Sequence, residues 1–168
     1  MRSTLFTDSS TLRTVRNSLD QAAAARGVLI AARDELASDW TRTLRGLTAA
    51  EIFSDFLEMS AYLLEEGYKD AAAVLVGSTL EEHLRRLSAN HNIPVSVEKD
   101  GKMVPKKADL LNSELAKAEV YSKLDQKAVT MWLDLRNKAA HGHHDEYTKE
   151  QVVLMQQGVT DFMARHAD

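Results

Sequence analysis

Helical periodicity runs through almost all of this 168-residue chain, and few residues interrupt it. The chain has only two prolines and seven glycines, the residues that most often break helices. Between these breaks, apolar side chains recur every three or four residues, which is the spacing of one face of an α-helix. A chain of this length with 44% hydrophobic residues can also bury a substantial core. The sequence therefore predicts an all-α protein, a compact bundle of about five to seven helices.

Capping signals set the expected limits of these helices. Thr48 with Glu51, and Thr148 with Gln151, have the spacing of capping boxes. Asp125 is placed to cap the helix that follows it. The helices expected on these grounds span about residues 8–36, 48–67, 68–90, 108–118, 126–140 and 148–165.

The stretch near residues 93–107 interrupts the helical pattern. Its Lys-Asp-Gly-Lys turn stands between short extended pieces, which predicts a small loop or hairpin there. The sequence contains neither an internal repeat nor a domain linker. We therefore predict a single domain over residues 1–168, with an N-terminal helical extension at 1–46 and a helical core at 47–168.

Composition excludes several classes of site. The chain has no cysteine, so disulfides, thiolate nucleophiles and zinc sites with thiolate ligands are excluded. No apolar run approaches the roughly 18–20 residues that span a bilayer, which favours a cytoplasmic protein that does not act at a membrane. The net charge of −4 argues against a protein held to nucleic acid by its overall charge, although a local basic site is compatible with it.

The end of the predicted helix at 126–140 concentrates chemically useful groups in the order Arg136-Asn137-Lys138-Ala139-Ala140-His141. Asn137 and His141 are four residues apart and share one helix face, whereas Arg136 lies about 140° around the helix from His141. A guanidinium suits phosphate, and an imidazole exchanges protons near neutral pH. Cleavage of RNA by attack of its own 2′-OH needs such groups, without a protein nucleophile or a metal. The simpler alternative is a helix end in which Arg136 pairs with a carboxylate, Asn137 lies on the surface and His141 caps the helix. Glu81 and Glu82 are candidates to pair with Arg136 across helices and fix its fork for phosphate, although a solvated pair is the simpler expectation.

The segment Trp132–Gly142, with the helix at Gln151–Phe162 that follows it, resembles the C-terminal half of a HEPN domain. That all-α superfamily has the signature Arg, a polar residue, three variable residues and His. The likeness covers roughly residues 60–166 and is greatest to bacterial members found near defence and toxin genes. It implies an up-and-down helical core and a metal-independent endoribonuclease, dimeric, with Arg and His of both subunits lining one cleft.

The resemblance also implies a role for each residue of the signature. Carried over by position, Arg136 would stabilise the phosphate, Asn137 would be the polar second member, and His141 would be the acid or base. HEPN toxins that are silenced by nucleotidylation carry a Tyr two residues beyond the His. His143 occupies that position here, so this form of control is not implied, although Tyr147 is nearby.

Residues beside the signature are further candidates. We expect Lys138, His143 and His144 to contact RNA, because they are cationic or titratable and adjoin the signature. His141, His143, His144 and Asp145 could also be considered as metal ligands, but the loop has few carboxylates for that purpose. We therefore predict neither a metal nor a cofactor.

Three other features have simple explanations. His83 lies on the apolar stripe of its helix and is expected to be a core histidine, and Trp132 is expected to anchor the core. The lysine-rich window at 99–107 is either a solvated loop or an arm that grips a phosphate backbone.

The sequence thus predicts a cytoplasmic HEPN-type endoribonuclease that acts on RNA as a homodimer. The resemblance alone suggests a toxin or antiviral defence effector with an antitoxin or defence-system partner. One alternative is a non-catalytic HEPN module that binds RNA or a partner protein. Another is a helical interaction domain in which the Arg-Asn-x-x-x-His run is only a helix terminus.

Overall fold

The computed structural model describes residues 20, 26–27, 29–31, 33–35 and 51–167. The chain divides into two units, Met1–Leu47 and Thr48–Asp168, and each is described by itself. In the first unit the described residues are all helical. The expected cap at Thr48, at the start of the second unit, and the rest of the helix expected at 8–36 lie outside the described residues.

The second unit is a helical bundle with one small hairpin, which confirms the predicted fold class. Helix α1 covers residues 51–65 of the described chain and is followed after a short turn by α2. The remaining elements, in chain order, are α2 (Lys69–Asn90), β1 (Ser96–Lys99), β2 (Lys102–Pro105), α3 (Ala108–Lys117), α4 (Lys123–Ala140), a 3-10 turn (His144–Glu146) and α5 (Lys149–Arg165). None of the helices in the described part of the chain is long and apolar enough to cross a bilayer.

The predicted hairpin is present as the antiparallel pair β1 and β2. Ser96 pairs with Pro105 and Lys99 with Lys102, so only Asp100 and Gly101 form the turn. Both turn residues have positive φ, 53° and 73°, as the tightest hairpin turns require. The Asp-Gly dipeptide is therefore the local cause of the hairpin.

The capping predictions had two different outcomes. Thr148 and Gln151 form the complete capping box at the start of α5, as predicted. The prediction that Asp125 caps α4 was wrong, because the helix begins at Lys123 and its N-cap is Ser122. The Ser122 hydroxyl accepts a hydrogen bond from the backbone N–H of Asp125 at 3.1 Å, which places Asp125 in the first turn.

Helix α2 lies at the centre of the bundle and packs against α3, α4 and α5. Its inward face is mostly aliphatic. The same face carries His83, which is 6% exposed and lies edge-on to the rings of Phe53 and Phe162. Trp132 in α4 is also buried, and its indole lies against Gly158 of α5. Both residues therefore belong to the core, as predicted.

Candidate functional site

Helices α2 and α4 run in opposite directions where they meet, so the first turn of α2 lies beside the last turn of α4. Two sets of contacts establish this arrangement. Arg136 contacts Gly77 and Glu81 of α2, whereas Asp70, at the start of α2, contacts the loop that follows α4. The end of α4 that carries the signature therefore lies beside the first half of α2, and Arg136 contacts α2 directly.

Arg136 is held by contacts along its whole length. A β-carbon added to Gly77 would overlap the Cβ and Cγ atoms of Arg136, so the glycine makes room for the aliphatic part of this side chain. The guanidinium pairs with Glu81 and donates from Nη1 to Oδ1 of Asn137 at 2.9 Å. Of the two acidic residues that the sequence offered as partners of Arg136, Glu81 is thus the one that pairs with it. The result is a fixed, partly buried cation.

His141 is the C-cap of α4 and is exposed. Its backbone N–H bonds to the carbonyl of Asn137 at 3.0 Å, and Gly142 then ends the helix with a φ of +80°. Within residues 51–167, its imidazole has no hydrogen-bond or ion-pair partner. Arg136 lies five residues earlier, which is about 7.5 Å along the helix axis. Asn137 shares the helix face of His141, and its side chain bonds to Arg136.

The loop after His141 is attached to the first turn of α2 by a cluster of Lys69, Asp70, His144 and Tyr147, here called the Asp70 cluster. The Asp70 carboxylate accepts from the Tyr147 hydroxyl, and Nδ1 of His144 lies 3.1 Å from its other oxygen. Lys69 donates to the backbone carbonyls of His144 and Tyr147, the latter at 3.0 Å. The loop is therefore fixed by both side-chain and backbone contacts.

Charge in the Asp70 cluster favours the ionised carboxylate. Burial tends to raise the pKa of Asp70, but the hydrogen bond from Tyr147 and the positive charges of His144 and Lys69 outweigh it, so the pKa lies below its ordinary value. Burial and the bond to Asp70 raise the pKa of Tyr147. Tyr147 is buried and its hydroxyl is engaged, so it is not presented for modification.

The three residues expected to contact RNA all lie near carboxylates. Lys138 is 3.4 Å from Asp134 and 3.6 Å from Glu146. Nδ1 of His143 is 3.0 Å from Glu146, and His144 pairs with Asp70. Their contact with RNA stays a prediction. In the described ranges, no three His, Asp or Glu side chains converge on a metal-sized site.

A shallow groove of about 630 Å³ lies between α2 and α4 beside the last turn of α4. Its surface is mainly apolar and is formed by Leu63, Asp70, Ala71, Val74, Leu75, Ser78, Ala139 and Ala140. Along α4 the groove reaches Ala140, the residue before His141.

The lysine-rich window divides into two parts. Lys106 is an internal residue of the fold, since its ammonium lies 2.7 Å from Glu114 and only 9% of its side chain is exposed. Arg85 of α2 donates to the Lys106 carbonyl at 3.4 Å, which attaches the hairpin to α2. Lys99 and Lys102, beside the turn, and Lys107, which follows β2, are exposed and are the lysines of the window that solvent can reach.

The sequence indicated the signature residues and the Glu81 partner of Arg136, but not the other residues that hold the site. No local motif marks Gly77, Lys69 or Asp70. Tyr147 contacts Asp70 although the two are 77 positions apart in the sequence. No family model matches the chain, and neither does any curated protein or solved structure.

Proposed function

We propose that this protein is a metal-independent endoribonuclease of HEPN type, which cleaves RNA through attack by the 2′-OH of the substrate. The observation that carries the proposal is the exposed imidazole of His141, about one and a half helical turns after Arg136, whose stem lies against Gly77 and whose guanidinium is held by Glu81 and Asn137. The same helix end therefore presents a group that exchanges protons and a group that binds phosphate.

The proposed roles follow from the donors that each side chain has available. A guanidinium has five N–H donors, and the contacts with Glu81 and Asn137 leave others for the non-bridging oxygens of a phosphodiester. Charge increases on these oxygens in the transition state, where a preorganised cation is most effective. The exposed imidazole of His141 exchanges a proton with the reacting oxygens. Asn137 holds the cation in position.

We also propose that the enzyme acts as a homodimer with the groove between α2 and α4 at the interface. Arg136 and His141 lie on different sides of α4, so one copy holds them apart. Two copies that meet at the groove would bring both pairs of residues to one cleft. Exposed apolar side chains on α1, including Met59 and Tyr62, lie along the same helix as Leu63 of the groove and suit such an interface. A role as a toxin or defence effector with a protein partner rests on the resemblance alone.

One observation favours a non-catalytic module that binds RNA or a partner protein. Glu81 pairs with Arg136, and Glu146 and Asp134 flank Lys138. These carboxylates compete with phosphate for the same cations. A module of this kind would bind its ligand whether or not His141 is present.

The test is incubation of the pure protein with a labelled single-stranded RNA in EDTA, beside the variants His141→Ala and Arg136→Ala. We expect the parent to produce 2′,3′-cyclic phosphate ends and each variant to lose about 10²–10⁴-fold in rate. His91→Ala is the matched control, because His91 is likewise an exposed helix C-cap, at the end of α2. It should cleave like the parent.

Two results would contradict the proposed ribonuclease activity. Equal cleavage by the parent and by His141→Ala would identify a contaminating nuclease. Absence of cleavage by the folded parent on several RNAs, with binding retained in His141→Ala, would favour the non-catalytic module.

A further inference from the structure

His144 has the geometry of an oriented imidazole. Its Nδ1 lies 3.1 Å from an Asp70 oxygen, and its Nε2 lies 3.8 Å from the position that a β-carbon on Gly142 would occupy. Gly142 directly follows His141 in the chain. The ring therefore has one nitrogen on a carboxylate and the other beside the end of α4, and 53% of the side chain is exposed.

The carboxylate that orients this ring is itself held in position. Asp70 is part of α2, it accepts the Tyr147 hydroxyl, and Lys69 lies 3.6 Å from it. The neighbouring pair of His143 and Glu146 differs, because both partners lie in the loop and both are more than half exposed. An exposed pair of that kind contributes little. The orientation of His144 is therefore a property of the fold, whereas that of His143 is local to the loop.

RNA cleavage by the 2′-OH requires two proton transfers. One group must take the proton of the nucleophile, and another must protonate the 5′-oxygen that leaves. In the proposed dimer the second copy's His141 is one candidate for the second group, but within one copy the imidazole of His141 provides only one of these groups at a time. A second imidazole in the same copy would allow both transfers in one step without the residue of the second copy.

We propose that His144, oriented by Asp70, is the second proton-transfer residue of this site; the inference rests on the proposed ribonuclease function. His141 takes the proton from the 2′-OH as the 2′-oxygen bonds to phosphorus. The bond from phosphorus to the 5′-oxygen breaks, and Nε2 of His144 gives that oxygen a proton. The products are a 2′,3′-cyclic phosphate and a 5′-hydroxyl, without any co-reactant. A carboxylate on Nδ1 stabilises the protonated ring, as Asp does in catalytic triads.

In this arrangement His144 is a catalytic residue and Asp70 is a positioning residue. The rival explanation is that the pair only attaches the loop to α2. The two explanations differ in how the variants depend on the leaving group. A residue that protonates the leaving oxygen becomes dispensable when the leaving group needs no proton, whereas loss of loop structure slows every substrate.

The experiment compares an RNA that the parent cleaves with the same RNA carrying sulfur in place of the 5′-bridging oxygen at the cleaved bond. Thiolate leaves without protonation. We expect His144→Ala to lower cleavage of the oxygen substrate by about 10²–10⁴-fold and to leave cleavage of the sulfur substrate almost unchanged. Asp70→Asn should show the same selectivity with a smaller loss. His141→Ala should slow both substrates.

Asp109→Asn is the control for Asp70→Asn, since Asp109 is an exposed residue in the first turn of α3, and it should cleave both substrates like the parent. Equal losses on the two substrates in His144→Ala, or no loss on either, would overturn the inference while the ribonuclease itself stands. If the parent cleaves neither substrate, both the proposed function and the inference fail.

Discussion

Two large side chains of α4, Trp132 and Arg136, each lie against a glycine of a neighbouring helix. A β-carbon on Gly158 of α5 would overlap the indole of Trp132, and one on Gly77 of α2 would overlap the stem of Arg136. The surroundings of Trp132 are apolar, and the centroid of the Phe162 ring lies 6.2 Å from that of the indole. The Arg136 side ends in a guanidinium with charged and polar partners.

The same kind of contact, a large side chain packed against a glycine, therefore occurs twice on α4, one helical turn apart, with two different effects. Against α5 it buries an aromatic ring, which stabilises the fold through the area removed from water. Against α2 it fixes a cation whose polar end still meets solvent. The boundary between core and candidate site runs along α4 between these two contacts, so substitutions on the two sides should separate stability from cleavage.

The largest stability effect is expected at the apolar contact. Trp132→Ala should lower the free energy of unfolding by about 3–5 kcal/mol, because Trp132 is only 7% exposed and its removal leaves a cavity. Cleavage per folded molecule should be retained, as measured at a temperature where the variant is folded. Trp132→Phe provides a milder variant if the alanine form does not fold. A specific loss of cleavage in a folded Trp132 variant would contradict the view that the Trp132 contact serves stability alone.

The glycines offer the most closely matched pair. Gly77→Ala and Gly158→Ala should each cost about 1–3 kcal/mol, because the new methyl group overlaps a packed side chain. Only Gly77→Ala should also reduce RNA cleavage, since it displaces the stem of Arg136. Denaturant unfolding and cleavage rates on the two variants check this expectation. Equal cleavage by both would show that the position of Arg136 does not matter.

These two contacts also show what could be predicted from sequence. The core position of Trp132 followed from the apolar periodicity of α4, and the capping box at Thr148 followed from a local motif. The glycines could not be identified, because their role depends on how three helices pack. Ser122 was missed because Asp125 is an equally good N-cap type. Local signals are readable in one sequence, whereas contacts between distant segments are not.

The Asp70 cluster illustrates the same limit at the candidate site. His144 was expected to contact RNA because it adjoins the signature and is titratable. Its pairing with Asp70 joins positions 74 residues apart, and no spacing rule within one helix or loop reaches that far. The candidate residues of the site and the Glu81 partner of Arg136 were indicated by the sequence, whereas the Asp70 cluster required the tertiary structure.

A third prediction concerns the replacement of the Arg136 guanidinium by a lysine ammonium. Arg136→Lys keeps the charge and much of the stem over Gly77, so its stability should change by less than about 1 kcal/mol. Lysine lacks the planar fork that can reach Glu81, Asn137 and phosphate at once. We expect cleavage to fall by about 10²-fold, measured as kcat/KM on the labelled RNA. Cleavage at the parent rate would reduce the role of Arg136 to a simple positive charge.

The smallest effect should appear in the pH dependence of stability. The folded chain holds the pKa of Asp70 below the ordinary value of 3.8, so the unfolded chain takes up a proton first as the pH falls. The contribution of Asp70 is therefore fully present above that pH and is lost below it. The effect should be small, because 39% of the side chain is exposed and solvent screens its contacts. Asp70→Asn should thus lose stability less steeply than the parent below pH 3.8 in urea unfolding series. Trp132→Phe changes only the apolar contact between α4 and α5, so its free energy of unfolding should depend on pH as that of the parent does. If the free energy of unfolding of Asp70→Asn also falls with pH in parallel with the parent, then Asp70 does not stabilise the folded chain through its charge.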